Sequence, residues 1–154
     1  MIRENVGNFV LDNLGINELS EVVAIEAASF TTPWTETLFF SEIRNPRSVS
    51  KVIKIKNKVV GYICANIILD EGHILNLAVH QEFRNRGIAT ALIEEIIDYF
   101  RKNRCRAVFL EVRASNEKGK RIYELFNFKV LGTRNNYYIS PVEDAILMVL
   151  RLDI

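Results

Sequence analysis

The sequence predicts an α/β (α+β) fold in which a mixed, mostly antiparallel sheet is flanked by helices. Three observations support this class. Residues 48–79 contain three β-rich runs separated by turns, the pattern of an antiparallel meander. Residues 88–101 then repeat apolar side chains every three to four positions, as in an amphipathic helix. An apolar run at residues 107–112 follows, and strands joined through a helix are typically parallel.

Two helices begin the predicted order of elements. Residues 17–30 carry apolar side chains at mostly helical spacing, with Asn17 as the expected N-cap. A second, short helix begins at Thr35, whose hydroxyl can accept a hydrogen bond from an N–H group of the first turn. This helix ends before Pro46, because proline disfavours helical backbone in the residue before it.

The meander comes next. β-Branched residues between positions 48 and 69 form two strands joined by a tight turn at Asn57 and Lys58. Asp70, Glu71 and Gly72 are expected to form a second turn. Residues 74–79 then form the third strand.

Helices and strands alternate in the second half. The helix that follows the meander has one apolar and one charged side, and residues 107–112 are apolar enough for a strand covered on both faces. Asn127 stands where a left-handed residue can end the next helix. The last predicted elements are a helix at residues 116–126 and strands at residues 128–131 and 145–152, which gives the order ααβββαβαββ.

The composition indicates a single globular domain, residues 1–154, with 49% hydrophobic and 25% charged residues. Twenty Lys and Arg against 19 Asp and Glu leave a net charge of +1, which argues against a nucleic-acid partner. Cys64 and Cys105 are isolated, as in a cytosolic protein with reduced thiols. Residues 1–5 show no hydrophobic signal, and the apolar stretch 59–69 is too short to span a bilayer. We therefore expect a cytoplasmic protein without a membrane partner.

The most informative stretch is the loop before the amphipathic helix. It places Arg84 and Arg86 beside Gly87, directly before the first helical turn. The unpaired N–H groups and the dipole of a helix N-terminus favour an anion, and a glycine lets this backbone approach a phosphate. The arginines can add charge-assisted hydrogen bonds, so the loop fits a pyrophosphate. The pattern is not a P-loop or a dinucleotide-binding fingerprint, and a solvated basic loop that caps the helix fits it about as well.

Glu111 is the second unusual position. It interrupts an apolar strand, where an ionised carboxylate is costly unless it faces a cleft, water or a cation. An outward-facing glutamate, or one paired with Arg113, explains the position too. Tyr123 lies about two helical turns beyond Asn116 on a similar face, where a core aromatic residue is the simpler interpretation. The two histidines have no partner at ligand spacing, so we predict no metal site.

Together these residues resemble the GNAT superfamily of acetyl-CoA-dependent N-acetyltransferases. Its signature, a strand followed by R/Q-x-x-G-x-G/A, corresponds to residues 84–89. Within the superfamily the chain resembles the RimI type, the ribosomal-protein alanine N-acetyltransferases. Four stretches support this narrower resemblance, namely FTTPWT at 30–35, LNLAV at 75–79, LEVRASN at 110–116, and NNYY at 135–138 with EDA at 143–145.

The resemblance implies a V-shaped split between the strands that end near Val79 and Val112. The pantetheine arm of acetyl-CoA would add into the gap like an extra strand. Glu111 would be the general base and Tyr123 the general acid, and the substrate amine would attack the thioester directly. The implied cofactor-binding residues are Leu77, Ala78 and Val79 along the arm, Arg84, Asn85, Arg86, Gly87, Ile88 and Ala89 around the pyrophosphate, and Asn116.

The implied substrate is the N-terminal segment of a ribosomal protein, the alanine of small-subunit protein eighteen. Trp34, Tyr137 and Tyr138 are candidates for the walls of its groove, although packing roles explain such residues too. Two other functions stay open: acetylation of small amines or lysine side chains, and a non-catalytic CoA-binding sensor. The sequence leaves the oligomeric state open.

The near-zero net charge can then be the average of two unlike regions. The cationic region would be the arginine loop, and the acidic region would receive the positively charged N-terminus. The expected acidic residues are Asp70, Glu71, Glu111, Glu143 and Asp144. Two positions depart from the family pattern: Asn127 replaces a usual glycine, and residues 118–120 (Lys-Gly-Lys) replace small apolar residues.

Overall fold

A seven-stranded mixed sheet and four α-helices are described for residues 8–152 in a computed structural model. Residues 1–5, in which no signal was predicted, lie outside this range. The elements in chain order are β1 (Phe9–Asn13), α1 (Leu19–Ser29), α2 (Glu36–Arg44), β2 (Lys51–Ile55), β3 (Lys58–Ile68), β4 (Glu71–Val79), α3 (Ile88–Lys102), β5 (Ala107–Arg113), α4 (Glu117–Leu125), β6 (Lys129–Ile139) and β7 (Val142–Arg151).

The spatial order of the strands is β1-β2-β3-β4-β5-β7-β6. All neighbours are antiparallel except β4 and β5, which are parallel because α3 crosses between them. The parallel ladder is short, running from Glu71 opposite Ala107 to Ile74 opposite Leu110. Beyond this point the strands separate, which confirms the predicted mixed sheet and its V-shaped split.

Apolar clusters cover both faces of the sheet. Neighbouring residues of one strand belong to different clusters, as with Tyr62 and Ile63, because successive side chains point to opposite faces. The cluster on one face packs against α3, and the other packs against α1 and α2. The predicted apolar row of α3 is deeply buried, with Leu92, Ile96 and Phe100 fully covered. Within residues 8–152, no helix has the length and apolar character needed to cross a membrane.

The helix starts show one correct prediction and one error. Thr35 caps α2 as predicted, since its hydroxyl accepts from the Leu38 N–H at 3.2 Å. The prediction that Asn17 caps α1 was wrong. A 3₁₀ turn, Ile16–Glu18, precedes α1, and the Glu18 carboxylate accepts from the Gly15 N–H at 2.8 Å. This contact closes the 3₁₀ turn, and α1 continues directly from it with no side-chain cap of its own.

Four strands differ from the prediction. β1 was not predicted, and β4 begins at Glu71 because the turn contains only residues 69–70. Gly72 therefore lies in a strand, where a Cβ would come within 2.7 Å of the Phe100 ring. β6 and β7 form a hairpin longer than predicted, with β6 at the sheet edge. Asn127 has φ +72°, the left-handed conformation expected after the helix.

Candidate active site

A cleft of about 840 Å³ opens where β4 and β5 separate. It forms because the pairing ends at Ile74 and Leu110, so the facing strand edges diverge. Seven residues predicted for the site line this cleft, namely Trp34, Leu77, Glu111, Asn116, Tyr123, Tyr137 and Tyr138. The fold thus brings together residues from the N-terminal segment, the central strands and the β6–β7 hairpin.

Glu111 faces this cleft and has a cation beside it. Its carboxylate lies 3.5 Å from the Arg134 Nε, and its side chain is 32% exposed. The alternative pairing with Arg113 does not form, because Arg113 pairs with Glu143 at 3.2 Å and lies over the Tyr138 ring at 4.2 Å. Glu111 is therefore open to a ligand on the cleft side.

Tyr123 is buried and lines the same cleft. Its ring packs edge-on against Phe128, with 5.5 Å between the ring centroids. Burial raises the pKa of Tyr123, so its phenol stays protonated at neutral pH and can act as a proton donor. The pKa of Tyr138 is also raised, first by burial and then by the nearby Glu111 carboxylate.

The start of α3 has the geometry of a phosphate site. Gly87 caps the helix at φ +80°, and no atom lies within 4 Å of the place where a Cβ would be. The first N–H groups of the helix can therefore be approached closely by an anion. Ile88 and Ala89 form the first helical positions, and the Ile88 side chain is buried in the core.

The arginines of this loop are partly engaged. Arg84 donates to the Val79 carbonyl at 3.1 Å and to the Ser29 hydroxyl at 3.4 Å, which ties the loop to the end of β4. Arg86 lies over the Phe83 ring at 5.2 Å. Asn85 between them is left-handed, with φ +64°. The loop is thus shaped by specific contacts before any anion arrives.

Asn116 caps α4 next to the cleft. Its Oδ1 accepts from the Gly119 N–H at 2.9 Å. A Cβ at Gly119 would lie only 2.6 Å from the Asn116 amide nitrogen, so the glycine leaves room for this cap. The departure from the family pattern at this position therefore has a packing reason. Of the strand residues predicted with Asn116, Leu77 lines the cleft, while the Ala78 side chain is buried against the core.

The predicted acidic region is partly wrong. Asp70 and Glu71 lie at the closed end of the β4–β5 pair, and Asp70 forms an ion pair with Arg106 at 3.4 Å. Glu143 accepts from the Ser115 N–H and pairs with Arg113, and these contacts hold its pKa below the usual range. Asp144 accepts from the Asn136 N–H at 2.8 Å. Asp70, Glu143 and Asp144 therefore have hydrogen-bonding partners within the protein. Of the five residues predicted for the acidic region, Glu111 alone lines the cleft.

Two further cleft features were not predicted. Glu26 is 2% exposed and lines the cleft, and its position in the apolar row of α1 was the available signal. Arg134 beside Glu111 gave no local signal, because the two residues meet only through the pairing of β5, β7 and β6. Among residues 8–152, no group of three His, Cys, Asp or Glu side chains could hold a metal ion.

A family model described as the Acetyltransferase (GNAT) family matches residues 19–128, from the start of α1 to the residue before β6. The chain belongs to the GNAT family of acetyltransferases. The ribosomal protein bS18-alanine N-acetyltransferase of Escherichia coli (strain K12) is 31% identical, over 91% of this chain and 95% of the relative. The N-alpha-acetyltransferase of Saccharolobus solfataricus is 28% identical, over 92% of each chain.

The fold of this GNAT chain matches solved structures. The crystal structure of the Escherichia coli ribosomal-protein-S18-alanine N-acetyltransferase has a TM-score of 0.89 and 30% identity, with 95% of each chain covered. These findings confirm the predicted fold and make the chain an N-acetyltransferase that uses acetyl-CoA. They do not favour the sensor or the small-amine alternative.

Proposed function

We propose that this GNAT enzyme acetylates the N-terminal alanine of ribosomal protein bS18. The observation that carries the proposal is that Glu111, Tyr123 and Asn116 line one cleft together with the aromatic side chains of Trp34, Tyr137 and Tyr138. Support for the substrate comes from the Escherichia coli relative named for this reaction, which matches 91% of the chain. An α-amine of a protein substrate needs an open groove, and the cleft extends between the Trp34 segment and the β6–β7 hairpin.

The proposed placement of acetyl-CoA follows the fold. The pyrophosphate binds the N–H groups at the start of α3, with Arg84 and Arg86 beside it. Gly87 supports this placement, because the space where its Cβ would be is empty. The pantetheine arm lies along Leu77, Ala78 and Val79, whose outer edge faces the gap beyond the β4–β5 ladder. Asn116 at the start of α4 contacts the cofactor from the side of the cleft that it lines.

The proposed chemistry needs two protein groups. An N-terminal amine has a pKa of about 7.7–8.0, so Glu111 removes a loosely held proton, directly or through water. The amine nitrogen forms a bond to the thioester carbon, and the carbon–sulfur bond then breaks. Tyr123 gives its proton to the leaving thiolate, and the tyrosinate takes back, through water, the second proton that the nitrogen loses as the amide forms. No acyl-enzyme forms, which agrees with the deep burial of Cys64 and Cys105.

The acceptor contacts the aromatic wall, which consists of Trp34, Tyr137 and Tyr138. Tyr137 is 46% exposed, and its ring meets that of Tyr138 edge-on at 5.2 Å. Half-exposed aromatic rings can cover the first residues of a peptide without large ordering costs. We also propose that residues 1–154 act as one domain in the cytoplasm, where ribosomal proteins are made.

Mass spectrometry of peptide products tests this function. A peptide with the bS18 N-terminal sequence should gain one acetyl group from acetyl-CoA at its α-amine. Matched controls are the same peptide with a blocked N-terminus and a free internal lysine, and a small polyamine. Acetylation of the controls without acetylation of the free N-terminus would overturn the proposal.

A further inference from the structure

A buried carboxylate at the cleft has no part in the proposed chemistry. Glu26 on α1 is 2% exposed, and three donors point at it. Its Oε1 accepts from the Asn76 amide at 2.8 Å and from the Tyr62 hydroxyl, and its Oε2 accepts from the Trp34 backbone N–H at 2.9 Å. Burying a carboxylate is costly unless such bonds satisfy it. The arrangement therefore depends on both carboxylate oxygens of this residue.

These contacts join four parts of the fold. Glu26 comes from α1, Tyr62 from β3, Asn76 from β4, and Trp34 from the segment before α2. Burial raises the pKa of Tyr62, and the contact with Glu26 raises it further, so the phenol keeps its proton and donates. The Trp34 ring packs against Phe39 at 5.1 Å, which extends the network into the core.

Two of the three partners lie in the cleft wall. Trp34 and Asn76 both line the cleft, and Asn76 stands two residues beyond Ile74, where the β4–β5 ladder ends. The Trp34 segment, residues 30–35, contains no helix or strand. It is held at Trp34 by Glu26, and at Thr32 by a hydrogen bond to the Ser140 carbonyl at 2.6 Å. The position of this wall thus depends on a few side-chain contacts.

We propose that Glu26 is a positioning residue for the acceptor substrate, because its carboxylate holds Trp34 and Asn76 in the cleft wall. This proposal rests on the proposed function, in which a peptide contacts Trp34. In the proposed chemistry Glu26 transfers no proton, and its contacts are with Trp34, Asn76 and Tyr62. Its loss should therefore weaken acceptor binding and leave donor binding intact.

Glu26→Gln isolates one contact of the network. The glutamine oxygen can replace Oε1 and keep the bonds from Asn76 and Tyr62. Its amide nitrogen then faces the Trp34 N–H, so a donor meets a donor and this bond is lost. The variant should release the Trp34 segment while the side chain keeps nearly the same shape.

Two measurements follow. We expect Glu26→Gln to raise the peptide KM about tenfold, the effect of losing a hydrogen bond to a charged group, and to change kcat and the acetyl-CoA Kd less than about twofold. Trp34 is the one tryptophan in the sequence, so its fluorescence reports on the segment directly. Acrylamide quenching of Trp34 should increase in the variant.

Glu18→Gln is a matched control. Glu18 is also a buried carboxylate, bonded to Gly15 and Lys54 but not lining the cleft. This variant should leave the peptide KM and Trp34 quenching unchanged. Unchanged peptide KM and quenching in Glu26→Gln would overturn the proposal, as would equal losses of peptide and acetyl-CoA binding. If the wild-type enzyme does not acetylate the peptide, the proposed function is overturned instead. The quenching comparison needs no substrate, so it still tests whether Glu26 holds Trp34 in place.

Discussion

The Arg134 Nε lies 3.5 Å from a carboxylate oxygen of Glu111, across the β7 strand that separates them. The Arg134 side chain is 57% exposed. An ion pair that is this open to water contributes only about 0–1 kcal/mol. A cationic substrate amine can therefore displace Arg134 from Glu111 at little cost.

The first prediction concerns Arg134. Arg134→Gln should lower the peptide KM by up to about fivefold, because it removes a cation that competes with the substrate amine for Glu111. Arg134→Lys keeps the charge and serves as the control. The effect should shrink at high salt, which screens exposed charges, and steady-state kinetics at two salt concentrations measure it. A lower kcat at constant KM would mean that Arg134 orients Glu111.

Removal of the proposed base should slow the reaction in a pH-dependent way. Glu111→Gln should lower kcat by about 10²–10⁴-fold at neutral pH, the usual contribution of a general base. Since the substrate amine has a pKa of about 7.7–8.0, the deficit should narrow in more alkaline buffer, where the free amine dominates. A pH–rate series on both proteins measures this. A deficit that is constant at every pH would count against base catalysis.

Tyr123→Phe tests the proposed acid. The variant keeps the edge-on ring contact with Phe128 and removes only the hydroxyl. We expect kcat to fall about 10²-fold, within the range for general acids, with both substrates still bound. Kinetics and calorimetric titration with CoA separate the two effects. Full activity, or loss of CoA binding, would mean that Tyr123 has a packing role and is not the general acid.

Gly87→Ala should weaken donor binding. The methyl group meets no protein atom, so the folded chain accommodates it apart from the strain of left-handed backbone, about 1 kcal/mol. It would stand where a phosphate approaches the start of α3, and we expect the CoA Kd to rise about tenfold. Gly132→Ala is the control, since its Cβ also meets no atom and lies on β6. Equal CoA affinity in both variants would contradict the proposed phosphate site.

Alkaline pH should destabilise the fold. Burial raises the pKa of Tyr62 and Tyr123 above the ordinary 10.0 and that of Cys64 above 9.0, so the folded chain holds protons that the unfolded chain releases. This stability is complete below pH 9.0 and falls as the pH rises, by up to about 1.4 kcal/mol per pH unit for each group. Urea unfolding from neutral to alkaline pH measures the slope. Tyr62→Phe should make the slope shallower, and an unchanged slope would refute the assignment to Tyr62.

Local signals allowed much of the fold to be predicted. The row of buried residues in α3 and the Thr35 cap are local features. The interactions that produce each of them join residues only a few positions apart in the sequence. The edge strand β6 was underestimated because its side chains are mostly exposed and show no apolar alternation. Its length follows from pairing with β7, and this pairing is invisible in a local window.

The residues of the candidate site also fall into those that local sequence indicates and those that only the folded chain brings together. The loop from Arg84 to Gly87 could be proposed as an anion site from the sequence, because one continuous stretch contains all the residues involved. The partners of Glu26 lie 36 and 50 residues away at Tyr62 and Asn76, so its role depends on the folded sheet. Only the presence of a glutamate in an apolar row indicated that it had partners.

With acetyl-CoA placed as proposed, the short ladder between β4 and β5 has a consequence for substrate discrimination. Beyond Ile74 and Leu110, the diverging strand edges present peptide groups, which recognise the amides of an extended ligand whatever its side chains. In the proposed function, discrimination among acceptors therefore depends on the two rims of the cleft, residues 30–35 on one side and the β6–β7 hairpin on the other. Changes in these rims can alter acceptor preference while the donor half of the molecule stays the same.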